Sequence, residues 1–225
     1  MPIAFFKDCM PNIHLSTWFK KSITACAFVL CSQHALSHPH AWIDTNTYIN
    51  GTDTHITSLQ MTWTFDEETS LYMLQGEDTS PKQLQATLQK LANGVVKNMY
   101  NEHYFTYFYQ QGAPLRYKAA RYPELIQQGE KLTLRFEIPL SQPVAFADNE
   151  FKLFIYDATY YVDMSWLKSS DIQLSDTLAK HCQGELVYPN VSQGERDYAL
   201  TLAADVAPDH DLGERFSQRF KLSCQ

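Results

Sequence analysis

Two segments of this chain alternate apolar and polar residues so strictly that each can only be a strand with one buried face. In Leu59-Gln60-Met61-Thr62-Trp63-Thr64-Phe65 every second side chain is apolar, and in Leu132 to Ile138 the apolar Leu132, Leu134, Phe136 and Ile138 alternate with Thr133, Arg135 and Glu137. A helix would scatter those residues around its circumference, whereas a strand places them on one side. Ala41 to Ile49 shows a weaker version of the pattern, and Asn50-Gly51-Thr52-Asp53 between it and Leu59 supplies a turn, so the first two strands form a hairpin. As the start of the folded chain, the first of these strands is expected at a sheet edge.

Helical signals then intervene. Asp66-Glu67-Glu68 opens a short helix through Leu74, its acids suited to the positive end of the helix dipole. Ser80-Pro81-Lys82-Gln83 predicts a second start, with Leu84, Leu88, Leu91 and Val95 on one face and Asn93-Gly94 as a stop. From Tyr104 the strand character returns, in Tyr104 to Tyr109, Phe151 to Tyr156 and Tyr160 to Met164, with short runs near Leu186 and from Tyr198 to Leu202. Val206 to Asp211 breaks the pattern before a short helix near Leu212 to Phe220. The expected fold is α+β, mainly an antiparallel β-sandwich with a helical insertion between early strands. Its many Tyr and Phe residues are assigned to the core.

The amino end reads as an export signal. Lys20 and Lys21 precede the apolar run Ile23 to Leu30, and Ala35-Leu36-Ser37 is a small-x-small cleavage pattern. The run is well short of the roughly 20 residues a spanning helix needs, so no membrane insertion is expected after leader removal. Cys26 and Cys31 lack the context of a lipid anchor, and Met10 offers an alternative start. Residues 1–37 are thus a signal peptide, and 38–225 one β-rich domain. Three lysines and one aspartate leave with the leader, taking the formal charge from −7 to −9. An acidic surface disfavours nucleic acid as a partner and suits a cation. Three of the five cysteines are in the leader. The remaining pair, Cys182 and Cys224, reads as one disulfide in an oxidising compartment, contributing up to about 4 kcal/mol.

Cleavage after Ser37 would expose His38-Pro39-His40-Ala41-Trp42-Ile43-Asp44. In an extended segment His38, His40, Trp42 and Asp44 share a face, so two imidazoles can reach one ion. A free α-amine on His38 would add a third nitrogen. Pro39 rules out the planar copper and nickel site that uses deprotonated backbone amides, since proline has no N–H to lose. Imidazole with carboxylate suits zinc, nickel, cobalt or copper better than calcium or magnesium. The carboxylates would be Asp66 and Asp157, both at strand ends, with Asp163 weaker; Asp66 could equally be a helix cap, and Asp157 a turn aspartate bonding its own backbone. His55, His103, His181 and His210 are scattered. The chain has no G-x-S-x-G elbow, H-E-x-x-H helix or glycine-rich phosphate loop, so the enzymes built on those motifs are not supported.

The His38 to Asp44 motif behind a leader, Trp63-Thr64-Phe65-Asp66-Glu67, the Leu132 to Leu140 strand ending Ile138-Pro139-Leu140, and Tyr156-Asp157-Ala158-Thr159-Tyr160-Tyr161-Val162 resemble the bacterial exported proteins grouped as domain of unknown function 1007. These are described as uncharacterised periplasmic components of ABC-type transport systems. The resemblance implies a periplasmic protein encoded near nickel, cobalt or zinc transporters, with no established reaction. Gly76-Glu77-Asp78-Thr79-Ser80 is shorter than the acidic stretch of relatives, and Ala158 stands where they tend to carry proline, so a calcium-like loop is not expected here. The function expected is capture of a divalent transition metal in association with an inner-membrane transporter. A metal-free docking subunit and a histidine-brace copper enzyme are the alternatives. Intact-mass spectrometry of the exported protein should give a chain beginning at His38; any other start would remove the α-amine from the ligand set.

Overall fold

The computed structural model describes residues 39–147, 149–202 and 211–225. The leader, with its proposed cleavage site, His38 and His210 lie outside the described residues. Two sheets carry the domain. The first has the order β5-β6-β2-β1-β8, with β9 also on β1, and is formed by β1 (Ala41–Gly51), β2 (His55–Phe65), β5 (Arg121–Gln128), β6 (Lys131–Ala145), β8 (Val162–Ser165) and β9 (Ile172–Leu174). The second has the order β10-β11-β7-β3-β4, from β3 (Thr106–Gln110), β4 (Ala113–Pro114), β7 (Glu150–Ile155), β10 (Cys182–Val187) and β11 (Arg219–Cys224). Helices α1 (Glu67–Leu74) and α2 (Leu84–Met99) lie between β2 and β3, as the helical insertion required. The fold is α+β.

The alternating segments behave as their period dictates. Leu59, Met61, Trp63 and Phe65 of β2 and Leu132, Leu134, Phe136, Ile138 and Leu140 of β6 are all buried, and the two strands pair antiparallel with Met61 opposite Phe136. Phe108, Phe151, Leu153, Ile155, Phe220 and Leu222 of the second sheet join the same apolar core, which Leu88, Ala92, Val96 and Met99 of α2 extend. Trp63 stands edge-on to Phe136, ring centroids 4.9 Å apart, a favoured aromatic geometry.

β1 is a central strand. It pairs antiparallel with β2 along one flank, while its other flank pairs in parallel with β8 over Ala41 to Asp44 and with β9 over Thr47 to Ile49. The edge position expected from its place in the chain is therefore corrected: later segments return to cover it, because an open row of backbone N–H and C=O groups is filled wherever the chain can reach it.

Four other sequence expectations change. The Asn93-Gly94 stop is overridden, since α2 runs on to Met99; burying Val96 and Met99 outweighs the roughly 1 kcal/mol cost of a helical glycine. Ser80 to Gln83 forms a turn leading into α2, in which the Ser80 carbonyl accepts from the N–H groups of Gln83 and Leu84 at 2.9 Å each. Tyr198 to Leu202 is not a strand but mostly the end of helix α3 (Gln193–Thr201), opened by a reciprocal Ser192 and Glu195 capping box. That S-x-x-E signature was present in the sequence. Helix α4 (Leu212–Phe216) stops early, and Phe220 belongs to β11, where Phe220, Leu222 and Cys224 alternate inward.

The disulfide joins Cys182 and Cys224, which face each other across β10 and β11. The sheets are also tied by Gln218, buried just before β11. Its side chain accepts from the Trp166 N–H at 2.7 Å and donates to the Trp166 carbonyl at 2.8 Å, replacing the strand partner that Trp166 lacks beyond the end of β8. The Trp166 indole N–H in turn donates to Thr47 Oγ1 of β1 at 3.1 Å. Gln218→Ala leaves two buried backbone groups unsatisfied and should cost at least about 2 kcal/mol, read as a lowered midpoint in urea unfolding; an unchanged midpoint would show that Trp166 finds other partners.

Candidate functional site

Of the residues singled out in the sequence, His40, Asp66 and Asp157 each take part in the hydrogen bonding around the entry to β1. His40, the last residue before that strand, donates its backbone N–H to the Tyr161 carbonyl at 2.8 Å. Its imidazole lies over the Tyr161 ring with centroids 4.6 Å apart and planes 30° apart. Trp42 is half-exposed and Asp44 partly so, while Ala41 and Ile43 point into the core. Trp42 and Asp44 therefore share the outward face, whereas His40 is half-buried, with its Nε2 closed off from solvent.

Asp66 holds one side of this entry. Past the end of the β1 and β2 ladder at Ile43 and Phe65, its N–H donates to the Trp42 carbonyl at 3.0 Å and its Oδ2 accepts from the Trp42 N–H at 2.8 Å. The same carboxylate caps α1, Oδ1 accepting from Thr69 N–H at 2.8 Å and Oδ2 from the Thr69 hydroxyl at 2.7 Å. Burial tends to raise the pKa of this carboxyl, but the hydrogen bonds from Thr69 and Trp42 outweigh it and hold the group below its ordinary value.

Asp157 holds the other side. Its Oδ2 accepts from the N–H groups of Tyr161 at 3.0 Å and Val162 at 3.2 Å and from the Thr159 hydroxyl at 2.8 Å, while Oδ1 accepts from Thr159 N–H at 3.1 Å. Tyr161 and Val162 are the residues that receive His40 and Ala41. The Asp157 loop is seated against α4: Gly213 N–H donates to the Ala158 carbonyl at 3.1 Å, and a side chain at Gly213 would collide with the Asp157 carbonyl. Tyr160, with its ring stacked on Phe216 at 4.3 Å, donates its phenol to Asp163 Oδ2 at 3.3 Å. Burial, then the Asp163 charge, raises the pKa of that phenol.

The structure thus gives both candidate carboxylates the backbone roles that the sequence left open beside ligation, a cap at Asp66 and a turn at Asp157. A carboxylate offers about four lone-pair directions. Asp157 already accepts four hydrogen bonds, only one of them on Oδ1, and Asp66 accepts from Trp42, twice from Thr69 and from Glu68, so both carboxylates are largely committed to the fold. Among the described residues no three His, Cys, Asp or Glu side chains gather to hold a metal ion. His40, Asp66 and Asp157 do not form such a group by themselves, and a closed ligand set would need His38. Tyr161 and Gly213 were not singled out in the sequence, although the Asp157-x-Thr159 spacing is a turn signature that announces the loop around them.

The family described as "Protein of unknown function (DUF1007)" matches residues 23–224. An uncharacterized protein of Haemophilus influenzae is 35% identical over 193 residues, covering 84% of this chain and 92% of that protein.

Asp66→Ala should lower stability by about 0.5–2 kcal/mol through loss of the cap. A carboxyl whose pKa is depressed by folding contributes stability above its unfolded value, near 3.8, and loses it as pH falls through the lower folded value. The variant should therefore lose less stability than the parent on acidification from pH 5 through that range, as measured by urea unfolding at stepped pH. Equal acid sensitivity would show that Asp66 is not the group being titrated.

Proposed function

The chain belongs to the DUF1007 family, and from that premise, with the clamped entry to β1, we propose that it is an exported accessory protein of a metal-transport system, binding a divalent ion of the zinc, nickel, cobalt or copper class through His38 and His40. The observation that supports this most is the fixed backbone from which His40 projects: its N–H is bonded to Tyr161, Asp66 holds Trp42 of the strand that follows it, and Asp157 holds the Tyr161 and Val162 segment that receives it. A ligand already held in place loses less freedom on binding. His38 precedes it by two residues and brings a second imidazole, with its α-amine if cleavage follows Ser37. Asp66 or Asp157 is the carboxylate that would join them, giving up part of its present hydrogen bonding to do so.

Export to the periplasm is supported by the disulfide, a bond of oxidising compartments. Among the described residues no helix is long and apolar enough to cross a membrane. The role is capture and hand-over to an inner-membrane transporter. A metal-free docking subunit is the second reading, favoured by Leu71 and Tyr72 of α1, which are 73% and 76% exposed.

Purified from the periplasm, the protein should bind one equivalent of zinc or nickel by titration calorimetry. Changing both His38→Ala and His40→Ala should weaken that binding by more than about a hundredfold, the upper end of what losing a mere supporting partner costs at a metal site. Unchanged affinity in the double variant would sink the metal reading. Loss of transporter association in a Leu71→Ser, Tyr72→Ser variant, with no metal bound by the parent, would establish the docking reading instead.

A further inference from the structure

On the outer face of the second sheet, away from the apolar core, Tyr107, Phe154, Arg219 and Val187 stand in one row across β3, β7, β11 and β10. Beside this row lies a cavity of about 570 Å³ lined by Phe154, Val187, Tyr188 and Pro189 on its apolar side and by Glu214, Arg215 and Arg219 on its polar side, with Asp211 at the rim. That volume is within the range of small-molecule sites.

The two arginines differ in their partners. Arg215 is paired with Asp211 at 2.9 Å and with Glu195 at 3.9 Å. Among the described residues Arg219 has no ion pair and no hydrogen bond from its side chain, and its Nε is shut off from solvent without a partner there. A guanidinium is never deprotonated in a protein, and enclosing part of it without an acceptor is unfavourable. A cation kept on a cavity wall, with no ion pair among the described residues, suits an anion that arrives from outside.

We infer that this cavity binds a small monocarboxylate with an apolar body, its carboxylate on the terminal nitrogens of Arg219 and its body against Phe154, Val187, Tyr188 and Pro189. The guanidinium fork matches a carboxylate in a two-point hydrogen bond. Glu214 and Asp211 on the same cavity favour a ligand with one negative charge over a phosphate with two. The site lies on a different sheet from the entry to β1 and does not depend on the metal reading.

Phenylacetate is a suitable probe. Titrated into the full disulfide-bonded protein, it should shift the Arg219 side-chain NMR signal saturably, with inorganic phosphate binding much more weakly. Arg219→Gln should reduce phenylacetate affinity by at least about tenfold, the loss expected for hydrogen bonds to a charged group. Arg219→Lys should not restore it, because the fork is lost. Tyr188→Ala, at a half-exposed wall position that carries no core packing, gives an independent measure and should weaken binding severalfold without altering the thermal midpoint. Absence of saturable phenylacetate binding, equal affinity in Arg219→Gln, or phosphate binding as tightly as phenylacetate would each overturn the assignment.

Discussion

Two-sided pairing of β1 is the constraint on which the rest of this molecule depends. A strand paired on one side only leaves a row of N–H and C=O groups open to water or to another chain. Here β8 and β9, more than a hundred residues further on, return to that side and run parallel to it. The residues that make the return possible are polar. Asp157 turns the chain into β8, Gln218 supplies Trp166 with the partners that strand pairing does not, and Thr47 receives the Trp166 indole. Gln218 and Thr47 satisfy backbone and ring groups of Trp166 that would otherwise be buried unpaired, and Asp157 satisfies the N–H groups at the start of β8.

The same economy shapes the entry to β1. Asp66 caps a helix and grips Trp42 with one carboxylate; Asp157 organises a turn and holds the segment that receives His40. An aspartate that accepts several N–H bonds is a rigid structural part that fixes the backbone around it. Metal-binding proteins use this arrangement to orient ligands, so a structural role and a supporting role toward a histidine-bound ion are compatible. The chemistry of the site would then reside in His38 and His40, and its geometry in the two aspartates.

In the second sheet the roles are divided by face. Inward residues join the common core, and Cys182 and Cys224 fasten its last two strands together. Outward residues are aromatic and charged, and among them Arg219 stands without the carboxylates that neighbouring Arg215 has. Periodicity marks Arg219 as outward, since Phe220 and Leu222 are inward, but pairing across three strands is what sets it beside Phe154 and Val187.

Local pattern determined a good part of this protein. The buried face of β2 and β6, the first hairpin, the helical insertion and the α+β class follow from alternation and turn chemistry, which act over a few residues and leave a direct trace in the chain. The Asp66 cap and the Asp157 turn were legible for the same reason, each bonding residues within five positions of itself. What the tertiary structure alone decided involves partners far apart in sequence: that β1 is central, that α2 passes through Gly94 to bury Val96 and Met99, that Phe220 ends in a strand, and that Arg219 faces a cavity with no counter-ion among the described residues. Burial and long-range pairing outweigh local propensity by amounts that depend on which distant segment arrives, and no short window of sequence carries that information.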